Sequence, residues 1–142
     1  KLYFDTISCV APIGIFLGRI ANFINGELYG IPTERSWGVI FPKIDNISRH
    51  PSQIYEAILE GGILFIILNF LIHKKFYNHG SVSLLFLIFY GIFRIISEQF
   101  REPDEHVGYI LGYLSVGSIL SIIMVLLGIL FLSKLILNEK NR

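Results

Sequence analysis

Four long apolar segments dominate the chain, and polar residues fall mainly between them. A helix that crosses a bilayer needs about 20 predominantly apolar residues. Segments near this length cover residues 6–24, 54–72, 82–100 and 114–137. Pro12 and Arg19 interrupt the first, whereas the last is almost purely aliphatic. The pattern predicts an all-α, polytopic membrane protein with about four transmembrane helices in a single domain and a long polar loop over residues 25–49.

The composition agrees with a membrane protein and excludes several other classes. Of the 142 residues, 53% are hydrophobic and only 16% are charged, with a formal net charge of +1. This charge and the absence of a basic stripe argue against nucleic acid as a partner. The only cysteine, Cys9, lies in an apolar stretch and is predicted to be a small buried hydrophobe. The four histidines lack metal-ligand spacing, so neither a metal nor a cofactor is predicted.

The distribution of positive charge predicts the orientation, because short cytoplasmic segments are enriched in Lys and Arg. Lys74 and Lys75 mark one such segment, after the second span, and the C-terminal tail is marked by Lys134, Lys140 and Arg142. With four spans, these two places fall on one side of the membrane. The loops over residues 25–49 and 101–113 are then expected to face outward, where the polar ends of the spans converge.

The first motif covers residues 18–30 and places Arg19, Asn22, Asn25 and Glu27 at the end of the first span. A charge at the centre of a transmembrane helix costs roughly 2.5–3.5 kcal/mol on insertion scales. Arg19 and Asn22 share a helix face, and a planar guanidinium suits a phosphodiester. The alternative is structural: the arginine reaches the membrane interface and the asparagines cap the helix.

The second motif covers residues 50–56, with Pro51 suited to a first helical turn. His50, Gln53 and Glu56 recur at every third residue, which predicts one functional strip. A capped helix start with aromatic residues at the membrane interface explains only half of this pattern.

The third motif covers residues 90–103. Tyr90, Arg94, Glu98 and Arg101 are spaced by four, four and three residues, which predicts one helix face. Glu98 lies between the two arginines and is expected to pair with either, which lowers the cost of burying them. The alternative is a self-neutralising ladder that only packs helices together.

The three motifs, in this order, resemble those of the prolipoprotein diacylglyceryl transferases, and residues 108–117 are also similar to that family. Family members are multi-pass enzymes of the bacterial inner membrane that catalyse the first step of lipoprotein maturation. They transfer diacylglyceryl from phosphatidylglycerol to the lipobox cysteine thiol of a prolipoprotein signal peptide, and glycerol 1-phosphate leaves. The resemblance therefore implies a transferase without a cofactor, surrounded by membrane lipids, with its site at the outer leaflet.

The resemblance also implies roles for particular residues, with Arg19 and Arg94 on the headgroup phosphate. The catalytic candidates are Arg94, Tyr90, His50 and Glu98. The candidates for binding phosphatidylglycerol are Arg19, Asn22, Glu27, Gly30, Gln53 and Arg101. The thiol must become a thiolate, and two bases stay open: His50, or a histidine in an upstream part of the family that nothing here matches.

Because that upstream part has no counterpart here, the chain is expected to be the C-terminal half to two-thirds of the enzyme. Three alternatives remain. The first is a transport or channel subunit with an arginine-lined anion path. The second is an inactive truncated paralogue. The third is a non-catalytic membrane scaffold, in which Arg19 and Arg94 would tolerate replacement by lysine.

Overall fold

The computed structural model describes residues 2–73, 79–103, 109–110 and 114–140. Lys74, Lys75 and Arg142 lie outside this part, as do residues 104–108 and 111–113. The helices are α1 (Leu2–Asn25), α2 (Ser52–Glu56), a π-helical segment (Ala57–Ile63), α3 (Leu64–His73), α4 (Ser81–Glu98) and α5 (Val116–Lys140). We call the continuous stretch Ser52–His73 the second span.

Within the described residues, four helices are long and apolar enough to cross a membrane, which confirms the predicted polytopic helical fold. They run over Tyr3–Asn25, Ser52–His73, Ser81–Glu98 and Val116–Asn138. Large apolar side chains are exposed along α1 and α5, for example Leu17 and Leu126. Such faces suit a lipid environment, in which the backbone must be satisfied within helices.

The first helix continues through Pro12 instead of breaking there. α1 extends from Leu2 to Asn25, and the ring of Pro12 is fully buried. The helix ends in a Schellman motif: the amide of Glu27 donates to the carbonyl of Asn22, and that of Gly26 donates to the carbonyl of Phe23. Gly26 has a φ of 74°, the left-handed conformation that this ending requires.

Glycines allow close contacts between the helices. A Cβ on Gly61 would lie 2.6 Å from the Cβ of Phe16, so the second span approaches the backbone of α1 closely. In the same way, a Cβ on Gly91 of α4 would lie 2.6 Å from Val125 of α5. Small residues at such crossings let helices pack tightly in a membrane.

Short hairpins and bridges complete one end of the bundle. β1 (Val39–Ile40) pairs antiparallel with β2 (Ser48–Arg49), and β3 (Tyr109–Ile110) pairs antiparallel with β4 (Leu114–Ser115). Isolated bridges join Gly30 to Arg101 and Pro32 to Arg49. The loop that follows α1 therefore lies over the end of α4.

The core lies between α1, the second span and α4. Cys9, Leu64, Leu68 and Val82 form its buried cluster. Cys9 is only 5% exposed, which confirms the prediction that it is a buried residue.

Candidate functional site: an arginine–glutamate cluster

Three helices bring charged side chains together inside the bundle. Arg19 comes from the last turns of α1, Glu56 and Glu60 from the start of the second span, and Arg94 and Glu98 from the end of α4. These residues, with Arg101, form what we call the arginine–glutamate cluster. It holds three guanidinium groups and three carboxylates.

The two carboxylates of the second span lie between two arginines. Glu56 Oε2 is 2.9 Å from Arg19 Nη1, and Glu56 Oε1 is 2.7 Å from Arg94 Nη1. Glu60 repeats the arrangement at longer range, 3.3 Å from Arg19 Nη2 and 3.5 Å from Arg94 Nη1. Both glutamates are completely buried. A buried charge is tolerated only when it is paired, and here each carboxylate faces two cations.

Glu60 lies within the π-helical segment, a rare conformation that is frequent at functional sites. Its Oε1 also accepts a hydrogen bond of 2.9 Å from the hydroxyl of Ser97, one turn beyond Arg94. Glu60 thus connects α1 with α4 through its two oxygens.

Glu98 pairs with Arg94, its neighbour one turn earlier on α4. The distance from Glu98 Oε2 to Arg94 Nη2 is 2.6 Å, which makes the two side chains an ion pair. The hydroxyl of Ser115 donates to Glu98 Oε1 at 2.9 Å. Arg101 instead approaches Glu56, at 3.8 Å, and its backbone forms the bridge with Gly30. α4 ends at Glu98, so Arg101 does not continue the helix face that the sequence predicted.

Tyr90 lies one turn before Arg94 on α4, close to the Arg19 guanidinium. Its ring stacks on Phe86, with centroids 5.6 Å apart. Tyr90 therefore joins the cluster from α4, as the third motif predicts.

Gly30 holds the loop against the ends of two helices. Its amide donates to the carbonyl of His50 at 3.1 Å. A Cβ here would collide with that carbonyl oxygen and lie 2.6 Å from the carbonyl oxygen of Phe100. Only glycine fits at this position, so Gly30 allows the backbone of the loop to approach the backbones at His50 and Phe100 closely.

Gln53 acts on the same loop from the start of the second span. Its Nε2 donates to the carbonyl of Glu27 at 2.6 Å, and the side chain is fully buried. Its Oε1 is buried without a hydrogen-bond partner among the described residues. A buried acceptor left open in this way is a place where a ligand or water would bind.

His50 does not share a strip with Gln53 and Glu56, and that part of the second prediction is wrong. The helix begins at Ser52, so the helical period does not extend back to His50. Its Nδ1 lies 3.1 Å from the hydroxyl of Tyr55, and its ring centroid is 5.2 Å from that of Phe100. These rings, with Trp37, Ile58 and Leu59, line a separate apolar pocket of about 400 Å³.

Asn22 and Glu27 stand apart from the cluster. Asn22 is half-buried and accepts the Schellman bond through its carbonyl, while the side chain of Glu27 is exposed. In the described part of the chain, neither side chain makes a hydrogen bond. The helix-ending role considered for the asparagines is thus filled by the backbone of Asn22.

A second charged group, which the sequence did not single out, fixes the loop beside the site. Arg49 donates to Asp45 Oδ2 at 2.7 Å, to Glu102 Oε2 at 3.1 Å and to the carbonyl of Gly30 at 3.1 Å. The hydrogen bond from Arg49 lowers the pKa of Asp45, and the same pair raises the pKa of Arg49. Arg49 also lies over the ring of Tyr29, 4.9 Å from its centroid.

The sequence also gave no role to Glu60, which the structure places at the centre. The available signal was its occurrence four residues after Glu56 in an apolar span, since intramembrane carboxylates are expensive and usually functional. Their partners could not be read from spacing, because Arg19 and Glu60 are 41 residues apart.

Comparison with known proteins places these features in one family. The family model for prolipoprotein diacylglyceryl transferase matches residues 2–134. A phosphatidylglycerol–prolipoprotein diacylglyceryl transferase of Rickettsia felis is 57% identical over 126 residues, which cover 87% of this chain and 49% of the relative. The enzyme of that name from Rickettsia bellii is 54% identical over 132 residues, covering 92% and 50%. The chain spans about half the length of the curated relatives it matches.

Proposed function

This chain belongs to the prolipoprotein diacylglyceryl transferase family, and from that premise we propose that it supplies the headgroup site of such an enzyme. The substrate is phosphatidylglycerol, and the acceptor is the lipobox cysteine of a prolipoprotein signal peptide. The observation that carries the proposal is the pairing of Arg19 and Arg94 across two buried glutamates. Guanidinium groups held in this way present fixed donors to a phosphate.

The reaction follows from the charges. The cysteine thiolate attacks the glyceryl carbon that bears the phosphate, a sulfur–carbon bond forms, and the carbon–oxygen bond to phosphate breaks. The thiol proton goes to a base, and glycerol 1-phosphate leaves with the bonding electrons. Negative charge grows on the departing phosphate, so preorganised donors from Arg19 and Arg94 stabilise the transition state. The substitution is redox-neutral and consumes no cofactor.

The remaining candidate residues then act around the arginines. Tyr90 and Glu98 keep the guanidinium forks oriented, and Arg101 adds charge beside Glu56. Gly30 and Gln53 hold the loop of residues 26–51 between α1 and the second span, which we call the covering loop. Asn22 and Glu27 lie where that loop leaves α1, and they contact the headgroup glycerol when lipid binds. His50 shapes the aromatic pocket, and the thiol base is a group outside this set.

The proposed setting is the bacterial inner membrane, with the cluster at the outer leaflet among membrane lipids. The positive-inside rule supports this orientation through Lys134 near the opposite end of α5. An anion channel is a weaker alternative, because the arginines of a conducting path would face water and not two buried carboxylates. The cluster has three charges of each sign, which suits a closed binding site.

The test uses the intact enzyme that contains this chain, reconstituted with phosphatidylglycerol and a lipobox peptide. We expect transfer of diacylglyceryl to the cysteine, detected as the mass gain of the peptide. Arg19→Ala should abolish most of this transfer, whereas Glu34→Ala, on the exposed loop, should not change it. Absence of transfer from the unaltered enzyme, as expected for an inactive paralogue, would refute the proposal, as would full activity of Arg19→Ala.

A further inference from the structure

Asp5 lies at the end of the bundle opposite the arginine–glutamate cluster and joins α1 to the start of α4. Its side chain is buried, with 3% exposure. Oδ2 accepts a hydrogen bond from the amide of Gly80 at 2.6 Å. Oδ1 accepts bonds from the amide of Ser83 at 2.9 Å and from its hydroxyl at 2.8 Å. A carboxylate of one helix thus caps the N-terminus of another.

This contact restrains how far α4 can slide along α1. The first amides of a helix have no partners within it, and Gly80, at the N-cap position, has no side chain to satisfy them. Leaving them unpaired is unfavourable in lipid, and a negative charge at a helix N-terminus is favourable. Sliding α4 by one residue, about 1.5 Å, would break these bonds.

The spacing of the helices connects this cap to the cluster. Fourteen residues separate Asp5 from Arg19 on α1, and fourteen separate Gly80 from Arg94 on α4. At about 1.5 Å per residue, both distances are about 21 Å. Both helices start at the same end of the bundle. A contact that holds Asp5 and Gly80 at the same height along the bundle axis therefore also holds Arg19 and Arg94 at the same height. The two arginines indeed meet the same pair of glutamates.

We propose that Asp5 is a positioning residue for the two arginines: by capping α4 from α1, it sets the register in which both reach Glu56 and Glu60. The inference rests on the proposed function, in which Arg19 and Arg94 hold the headgroup phosphate. Losing the cap lets α4 move along α1, and Arg94 then leaves its 2.7 Å contact with Glu56. The effect falls on lipid binding, although Asp5 is far from the lipid phosphate.

The first experiment measures kcat, and KM for phosphatidylglycerol, in the intact transferase. We expect Asp5→Ala to raise KM about tenfold, in line with a lost helix cap. Asp5→Asn should raise KM less, by about threefold, because its Oδ1 can still accept from Ser83 whereas its Nδ2 cannot accept from the amide of Gly80. The control is Cys9→Ala, one turn further along α1, which removes buried packing without touching the cap. It should lower the melting temperature and leave KM unchanged.

The second experiment measures register directly, without activity. Spin labels at Asn25→Cys and Gln99→Cys, in the Cys9→Ala background, report the distance between the ends of α1 and α4. Adding Asp5→Ala should shift or broaden this distance distribution, and adding Asp5→Asn should change it less, because asparagine keeps one of the two acceptor atoms. If Asp5→Ala does not fold, Ser83→Ala removes one of the three bonds and should give a smaller change in the same direction.

The outcomes separate this inference from the proposed function. An unchanged KM and an unchanged label distance in Asp5→Ala would overturn the positioning role, as would a loss of melting temperature alone. Equal defects in Asp5→Ala and Asp5→Asn would also overturn it. If Arg94→Ala keeps full transfer activity, the proposed function fails instead. If Arg94→Ala is inactive and Asp5→Ala is normal, only the inference about Asp5 fails.

Discussion

At the scale of single residues, the donors of Arg94 are divided between carboxylates on two different helices. Nη1 contacts Glu56 and Nη2 contacts Glu98, at 2.7 and 2.6 Å. A fork with two nitrogens can hold both acids at once, and a lysine ammonium cannot match that planar geometry. The charge of Arg94 and the planar shape of its guanidinium therefore contribute separately to holding the two carboxylates.

Replacing Arg94 separates these two contributions. Arg94→Ala in the intact enzyme should lower kcat/KM for phosphatidylglycerol by roughly 10- to 100-fold or more, since a charged hydrogen bond is worth about 1.5–3 kcal/mol. Arg94→Lys should recover little of this loss, because it keeps the charge without the fork. Steady-state kinetics with circular dichroism as a folding control provides the measurement. Near-normal rates for the lysine variant would show that the positive charge alone is sufficient at this position.

The pair formed by Asp45 and Arg49 predicts a pH dependence in the covering loop. Hydrogen bonding to Arg49 lowers the pKa of Asp45 below its ordinary value of 3.8. The pair therefore stabilises the folded protein fully above pH 3.8, and this contribution disappears as the pH falls through the lower folded-state pKa. Arg49 stays charged throughout.

The Asp45→Asn variant tests this dependence through melting temperatures in detergent between pH 7 and 3. At pH 7 the variant should melt slightly below the unaltered protein, by a small margin because the pair is near the surface. The gap should close at the acidic end. If the difference in melting temperature between the two proteins stayed constant from pH 7 to pH 3, the pair would stabilise the fold through its shape and not through its charge.

At the scale of elements, the loop between α1 and the second span is fixed by contacts between backbones. Gly30 lies between the carbonyls of His50 and Phe100. Arg49 reaches its carbonyl from β2. The end of α1, the start of the second span and the end of α4 are thereby held together over the cluster.

A methyl group at Gly30 should disturb all three elements. Gly30→Ala places a Cβ against two carbonyl oxygens, so the loop must move away from the helix ends. We expect a loss of several degrees in melting temperature and a larger loss of transfer activity than of folded protein. Gly14→Ala is the matched control, since nothing lies within 4 Å of its Cβ position. Equal tolerance of both substitutions would show that the loop does not depend on this close contact.

Hydrophobic pattern predicted the spans well because lipid demands helices that satisfy their own backbone. The cost of intramembrane charge identified Arg19 and Arg94 for the same physical reason. Partner choice could not be predicted: Asp5 and Gly80 are 75 residues apart, and nothing local marks their contact. The sequence pattern also could not predict that His50 lies off the strip of Gln53 and Glu56. Its position depends on the helix beginning at Ser52 and not two residues earlier.

At the scale of the whole molecule, charge is distributed unevenly between the two ends of the bundle. One end carries the arginine–glutamate cluster and the covering loop. The other carries Lys134 and the start of α4. Together with the other basic residues near these two chain segments, Lys74, Lys75, Lys140 and Arg142, Lys134 predicts by the positive-inside rule that its end faces the cytoplasm and the loop end faces outward.

Labelling of single cysteines tests this orientation. In a Cys9→Ser background, Asn46→Cys lies on the exposed loop, and Asn138→Cys is exposed near the opposite end of α5. A maleimide that cannot cross membranes should label residue 46 in intact spheroplasts and residue 138 only after the membrane is permeabilised. His79→Cys, just before α4, should behave like residue 138, because one helix crossing separates each from the loop end. The reverse pattern would place the cluster at the inner leaflet, where a lipobox cysteine exported across the membrane could not reach the headgroup phosphate.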